Sequence, residues 1–207
     1  MEKSSDKRQI WSLAWPVMVG ISTHMLFHLV DLYWIGYLGR AALAGVAASG
    51  TLMMFLWTGT RIANSGGIAI ISQALGRNDQ RGLRKGAADT LLTSAAIAAL
   101  VFAVTYPNLS SLVAFFKLEG EAAKAALGYL SVSLLGVPLL YILEGSVAYV
   151  IGVGRTRVLM YLGLICNILN MVLDPIFMFG YGPFPEMGLP GAAWASIISS
   201  TLLATLV

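Results

Sequence analysis

The stretch IWSLAWPVMVGISTHMLFHLVDLYWIG, residues 10–36, stays predominantly apolar for longer than the roughly 20 residues that cross a hydrocarbon core. A polar segment, Met1 to Gln9, precedes it. It lacks the short apolar core and small-residue cleavage site of a signal peptide, which predicts a retained first membrane helix. Outward from it, further apolar runs cover about 41–75, 87–116, 122–151, 158–179 and 191–207, set off by Gly, Pro or charged residues. The pattern predicts an all-α membrane protein of six transmembrane helices forming one domain over residues 1–207. The last run ends with the sequence after 17 residues, the short limit for a crossing, and no polar tail follows, so the chain reads as interrupted.

Composition points the same way. Of 207 residues, 57% are hydrophobic and 11% charged, against about 25% charged in an ordinary soluble domain. A single globular core cannot absorb that apolar fraction, so the bilayer is the solvent. The 22 glycines suit close helix packing in lipid, where small residues let backbones approach. Ala41/Gly45/Ser49 and Ala95/Ala99/Ala103 predict two such faces. The lone Cys166 excludes an internal disulfide and a CxxC site.

Lys and Arg fall unevenly about the six runs. One side collects Lys3, Lys7, Arg8, Arg77, Arg81, Arg84, Lys85, Arg155 and Arg157; the other has Arg40, Lys117 and Lys124. Because connections facing the cytoplasm carry the excess, both termini are expected there, in a plasma (inner) membrane. Topology also accounts for the basic loop from Gly76 to Lys85, so no nucleic-acid partner is expected. Trp11 and Trp15 at the inner end of the first run, with Trp34, Tyr37 and Trp194 at outer ends, fit interfacial anchoring. Trp57, mid-span, is expected in the core.

An ionisable side chain at bilayer depth costs about 2.5–3.5 kcal/mol on insertion scales, so each needs a partner or a purpose. Four stand out: Asp31, Arg61, Glu144 and Asp174. Asp31 precedes Gly36 by five residues and Asp174 precedes Gly180 by six, which puts both about 7–9 Å inside the outer face at 1.5 Å per residue. Ser196, five residues into the last run, falls at the same depth. Helical spacing adds Asn167 and Asn170 to the face of Asp174, and His24 and His28 to that of Asp31. The histidines are expected to serve structural hydrogen bonding. Oxygen donors of this kind suit a hard cation such as sodium at Asp31, Asn170 and Asp174, and a carboxylate in a low-dielectric cavity can instead hold a proton. Arg61 and Glu144 are opposite in sign and predict a structural ion pair. Pro16 removes a backbone hydrogen bond within the first helix, which permits a bend there.

Several segments resemble the multidrug and toxic compound extrusion (MATE) family: Leu13-Ala-Trp-Pro-Val17, Val30-Asp-Leu-Tyr-Trp-Ile-Gly-Tyr-Leu-Gly39, Gln73-Ala-Leu-Gly76, Gly152-Val-Gly-Arg-Thr156, Asn170-Met-Val-Leu-Asp-Pro175 and Gly188-Leu-Pro-Gly-Ala-Ala-Trp-Ala-Ser196. Each motif is weak alone; six in order across the whole chain are specific. The resemblance implies export of organic cations or other amphipathic compounds in exchange for sodium or protons, by two six-helix lobes related by a pseudo-twofold axis. This chain resembles the amino-terminal lobe, with the second lobe absent. It further implies that Asp31 is the family's first-helix acid, that Asn170 and Asp174 are its cation-site pair, and that Pro16 is a first-helix proline shared by many prokaryotic members. Ser196 stands where many members have Thr and keeps the hydroxyl. No family role transfers to Arg61 or Glu144.

The expected function is therefore one lobe of a cation-coupled antiporter for small cationic or amphipathic molecules, with no cofactor beyond the coupling ion. Its partners would be the bilayer and a carboxy-terminal lobe or a second copy of itself. A lipid-linked sugar flippase of the same superfamily would need several cavity cations, and only Arg61 is buried in a span. An intramembrane aspartyl protease would need GxGD, whereas Asp174 follows Met-Val-Leu. An inactive truncated fragment is the remaining alternative. No enzyme motif is present, so catalysis is not expected.

Overall fold

The computed structural model describes residues 2–207, with side chains described for all of these except 2–10, 12, 13 and 24. Seven helices follow one another: α1 (Glu2–Tyr37), α2 (Arg40–Gly76), α3 (Gln80–Thr105), α4 (Leu109–Phe115), α5 (Gly120–Gly152), α6 (Thr156–Phe179) and α7 (Leu189–Leu206). Five of them, α2, α3, α5, α6 and α7, are long and apolar enough to cross a membrane. The expected count of six is thus met by five such helices together with α1, whose amino-terminal side chains, Lys3, Lys7 and Arg8 among them, lie outside the described residues.

The third run departs most from its expected span of 87–116. Its helix starts earlier, at Gln80, where the Asp79 side chain accepts from the backbone N–H of Arg81 (3.1 Å) and Gly82 (2.9 Å). It ends at Thr105 because Pro107 cannot supply the next backbone donor, and the apolar sequence beyond forms the separate short α4. Connectors are brief: residues 38–39 join α1 to α2, 77–79 join α2 to α3, 116–119 join α4 to α5, and 153–155 join α5 to α6. The longest, 180–188, starts and ends on glycines in the left-handed region, Gly180 (φ 71°) and Gly188 (φ 59°), where a side chain would be strained.

Helix α5 is the spine, and α2 lies parallel to it. A Cβ on Gly45 would stand 3.0 Å from the Ala126 backbone nitrogen, so the backbones nearly touch, as the small-residue face around Gly45 predicts. Further along, the Tyr141 hydroxyl donates to the Leu56 carbonyl (2.6 Å), and Ser72 donates to the Gly152 carbonyl (3.1 Å). Helix α3 packs against both. Its contact face is Gly86, Thr90, Ser94 and Ala98, all buried, and not the expected Ala95/Ala99/Ala103, which is exposed. Alanine marks no side of a helix by itself; the small polar residues one position earlier are the ones that meet Gly67 and Gly145.

Candidate coupling site at α1, α6 and α7

Helix α6 is packed between α1 and α7. On one side α1 runs parallel to it, and Ile35 and Met178, both fully buried, share a core cluster. Asp31 and Asp174 each lie four residues earlier, about one turn inward, so the two carboxylates come to the same level. On the other side a Cβ at Gly191 would stand 2.6 Å from the Phe177 carbonyl group, and this close approach draws the start of α7 against the end of α6. Ser196 is thereby brought 3.5 Å from Asn170, whose Nδ2 points at its Oγ.

Burial is deep on the α6 face. Asp174 has no exposed surface and Asn170 retains 3%. Among the described residues, both carboxylate oxygens of Asp174, Oδ1 of Asn170 and Oδ1 of Asp31 are buried without a hydrogen-bond partner. Asp31 and Asp174 are close enough for each to feel the other's charge. Two unpaired carboxylates in a low-dielectric setting are costly as anions, and a proton or a cation relieves that cost. Four oxygens and no sulfur or ring nitrogen form a donor set for a hard cation. Among the described residues there is no cluster of three His, Cys, Asp or Glu side chains of the kind that holds a transition metal.

The sequence-predicted residues therefore divide. Asp31, Asn170, Asp174 and Ser196 come together, while Asn167 is only partly buried on the same helix. Pro16 is fully buried, and α1 runs through it as one helix. The His24 side chain lies outside the described residues; His28 is exposed, its ring 6.3 Å from that of Trp57. Trp57 keeps 38% of its surface exposed and is no core residue, because it lies on the flank of α2 that turns from α5 towards α1. Arg61 and Glu144 make no direct ion pair. Arg61 is exposed, and Glu144 is instead hydrogen-bonded by Asn64, although the Arg61 charge still reaches it.

Two residues went unnoticed in the sequence. Tyr129 of α5 packs beside Trp34 against the Ile35–Met178 cluster, within electrostatic reach of both Asp31 and Asp174. Its signal is faint: a tyrosine in an apolar run, with Ser133 one turn on beside its hydroxyl. Asn64, a neutral amide amid small residues, is the other.

A profile of the family described as MatE matches residues 16–176. The chain belongs to the MatE family. Among curated MatE relatives, it is 31% identical over 194 residues to a probable multidrug resistance protein, NorM, of Thermotoga maritima, with 93% of this chain and 42% of that protein covered. It is 28% identical to the multidrug resistance protein PmpM of Pseudomonas aeruginosa, covering 93% and 40%. In three dimensions it matches a MOP superfamily transporter from Pyrococcus furiosus with a TM-score of 0.88 at 27% identity, covering 96% of this chain and 43% of that one. The chain thus spans less than half the length of these MatE proteins. Membership groups it with secondary transporters rather than enzymes.

Proposed function

We propose that the chain is the amino-terminal lobe of a cation-coupled antiporter that exports small cationic or amphipathic molecules, working with a carboxy-terminal lobe or a second copy of itself. The observation that carries this reading is the set of buried, unpartnered oxygens of Asp31, Asn170 and Asp174 on two parallel helices. A sodium ion or a proton taken up there favours one arrangement of α1 against α6, and substrate favours another, so each ligand shifts the equilibrium the other meets. Ser196 completes the oxygen set from α7, and Tyr129 positions the pair from α5. Pro16 lets α1 bend between the two arrangements. The multidrug resistance proteins among the relatives support the substrate class. The basic residues that flank the inner ends of the helices support a plasma (inner) membrane location with both termini cytoplasmic.

The test uses Asp31→Asn and Asp174→Asn, which remove charge at nearly constant volume, in proteoliposomes holding a two-lobe assembly. Each is expected to abolish cation-driven substrate movement while insertion and expression persist. Undiminished coupling in both variants would overturn the proposal.

A further inference from the structure

Arg61 is the one ionisable residue of the spans that the coupling site does not use and no side chain satisfies. It lies 15 residues before the end of α2 at Gly76, about 22 Å from that end at 1.5 Å per residue, well within bilayer depth. Among the described residues its guanidinium makes no hydrogen bond or ion pair. Glu144, the opposite charge that feels it, is committed elsewhere, since its Oε2 accepts from Asn64 at 2.8 Å.

The flank on which Arg61 sits is defined. Thr60, Asn64, Gly67 and Ile71 form the buried ridge of α2, and α3 meets it at Gly67 and Ile70 through Thr90 and Gly86. Arg61 lies on the other side of that ridge. Trp57 is one turn earlier on the same flank, with its ring beside that of His28 on α1. A planar cation with five donors therefore stands next to an indole face, in the cleft between α1 and α2. Such a fork matches the paired oxygens of a carboxylate, phosphate or sulfonate, and the indole offers a stacking surface for an aromatic body. A simple cation would be repelled at the same place.

We infer that Arg61 and Trp57 form a recognition point for the oxyanion group of an aromatic, amphipathic anion, in the cleft between α1 and α2. The same chemistry is found in a soluble aromatic anion and in an anionic lipid headgroup. The inference extends the substrate range of the proposed transporter, and it is read by equilibrium binding, so its outcome is separate from that of the coupling experiment.

The full chain in nanodiscs of zwitterionic lipid is dialysed to equilibrium with 4-methylumbelliferyl phosphate or its uncharged parent, 4-methylumbelliferone, at mildly acid pH. The phosphate is expected to bind about tenfold more tightly than the parent, with affinity falling as salt is raised. R61Q should erase that preference while leaving the parent's binding unchanged, and R61K, which keeps charge but loses the planar fork, should fall between. Wild-type chain in discs containing phosphatidylglycerol separates the sources: competition lost in R61Q assigns the point to a headgroup, and no competition assigns it to a soluble anion. Equal wild-type binding of the two probes, a phosphate preference intact in monodisperse R61Q, or R61K no better than R61Q would overturn the inference. The wild-type comparison of the two probes stands even if R61Q does not fold.

Discussion

Asn64 on α2 grips Glu144 on α5 twice, its Nδ2 donating to the side-chain Oε2 at 2.8 Å and to the backbone carbonyl at 3.2 Å. A buried amide and a partly buried carboxylate so joined form a polar rivet between two helices that otherwise meet through small residues. Asn64→Leu removes the rivet and leaves the carboxylate without its donor. The expected loss is about 1–2 kcal/mol, the upper range for interhelical hydrogen bonds in membranes. Glu144→Gln, which keeps an acceptor, should lose less. Thermal unfolding in detergent measures both, and an unchanged midpoint in Asn64→Leu would refute the assignment.

Gly191 is the hinge point of the α6–α7 contact. Gly191→Val places atoms where the Phe177 carbonyl already stands, so α7 must move away. Overpacking of this kind costs about 1–3 kcal/mol. The shift should also part Ser196 from Asn170. A cysteine pair engineered across the two helices, with Cys166 replaced, should crosslink readily in the parent and slowly in the variant.

Sodium and proton coupling differ in their effect on heat stability. An ion that binds only the folded chain stabilises it by about 2.7 kcal/mol at a hundredfold excess over its dissociation constant. If sodium is the ion, the melting midpoint rises with sodium and not with potassium at equal ionic strength, and the rise disappears in Asp174→Asn. If the proton is the ion, the wild-type midpoint moves with pH and the doubly neutralised variant Asp31→Asn/Asp174→Asn responds far less. Indifference to both would remove the coupling role from these residues.

Orientation has its own check. A cysteine placed between Gly76 and Lys85, in a chain lacking Cys166, should resist a membrane-impermeant thiol reagent applied to intact cells. A cysteine at Glu119 or Glu186 should react. The reverse pattern would invert the topology and the depth assigned to each helix end.

The four polar residues of the site were legible because lipid makes each of them conspicuous: an Asp or Asn in an apolar run stands out, and helix arithmetic alone gave Asp31, Asp174 and Ser196 one depth. Tyr129 was not, because an apolar ring hides its hydroxyl from any hydropathy reading. The break between α3 and α4 was hidden for a related reason. Apolar composition continues through Tyr106 and Pro107, and only the missing backbone donor ends the helix. Arg61 and Glu144 were recognised as costly, but their partners depend on rotation of α2 against α5, which places Asn64 opposite the carboxylate and turns Arg61 aside.

Connectors of two to four residues between most neighbouring helices leave almost no slack. Pulled from one terminus by an atomic force tip, such a chain has no loose loop to extend before a helix must leave the membrane, so force climbs steeply and releases in discrete steps. The one pause should come at the span of chain from Gly180 to Gly188, the only stretch with rope to give before the last helix is drawn out. A unit wound this tightly travels as one block, and any rearrangement during its working cycle has to arise inside a helix rather than between helices.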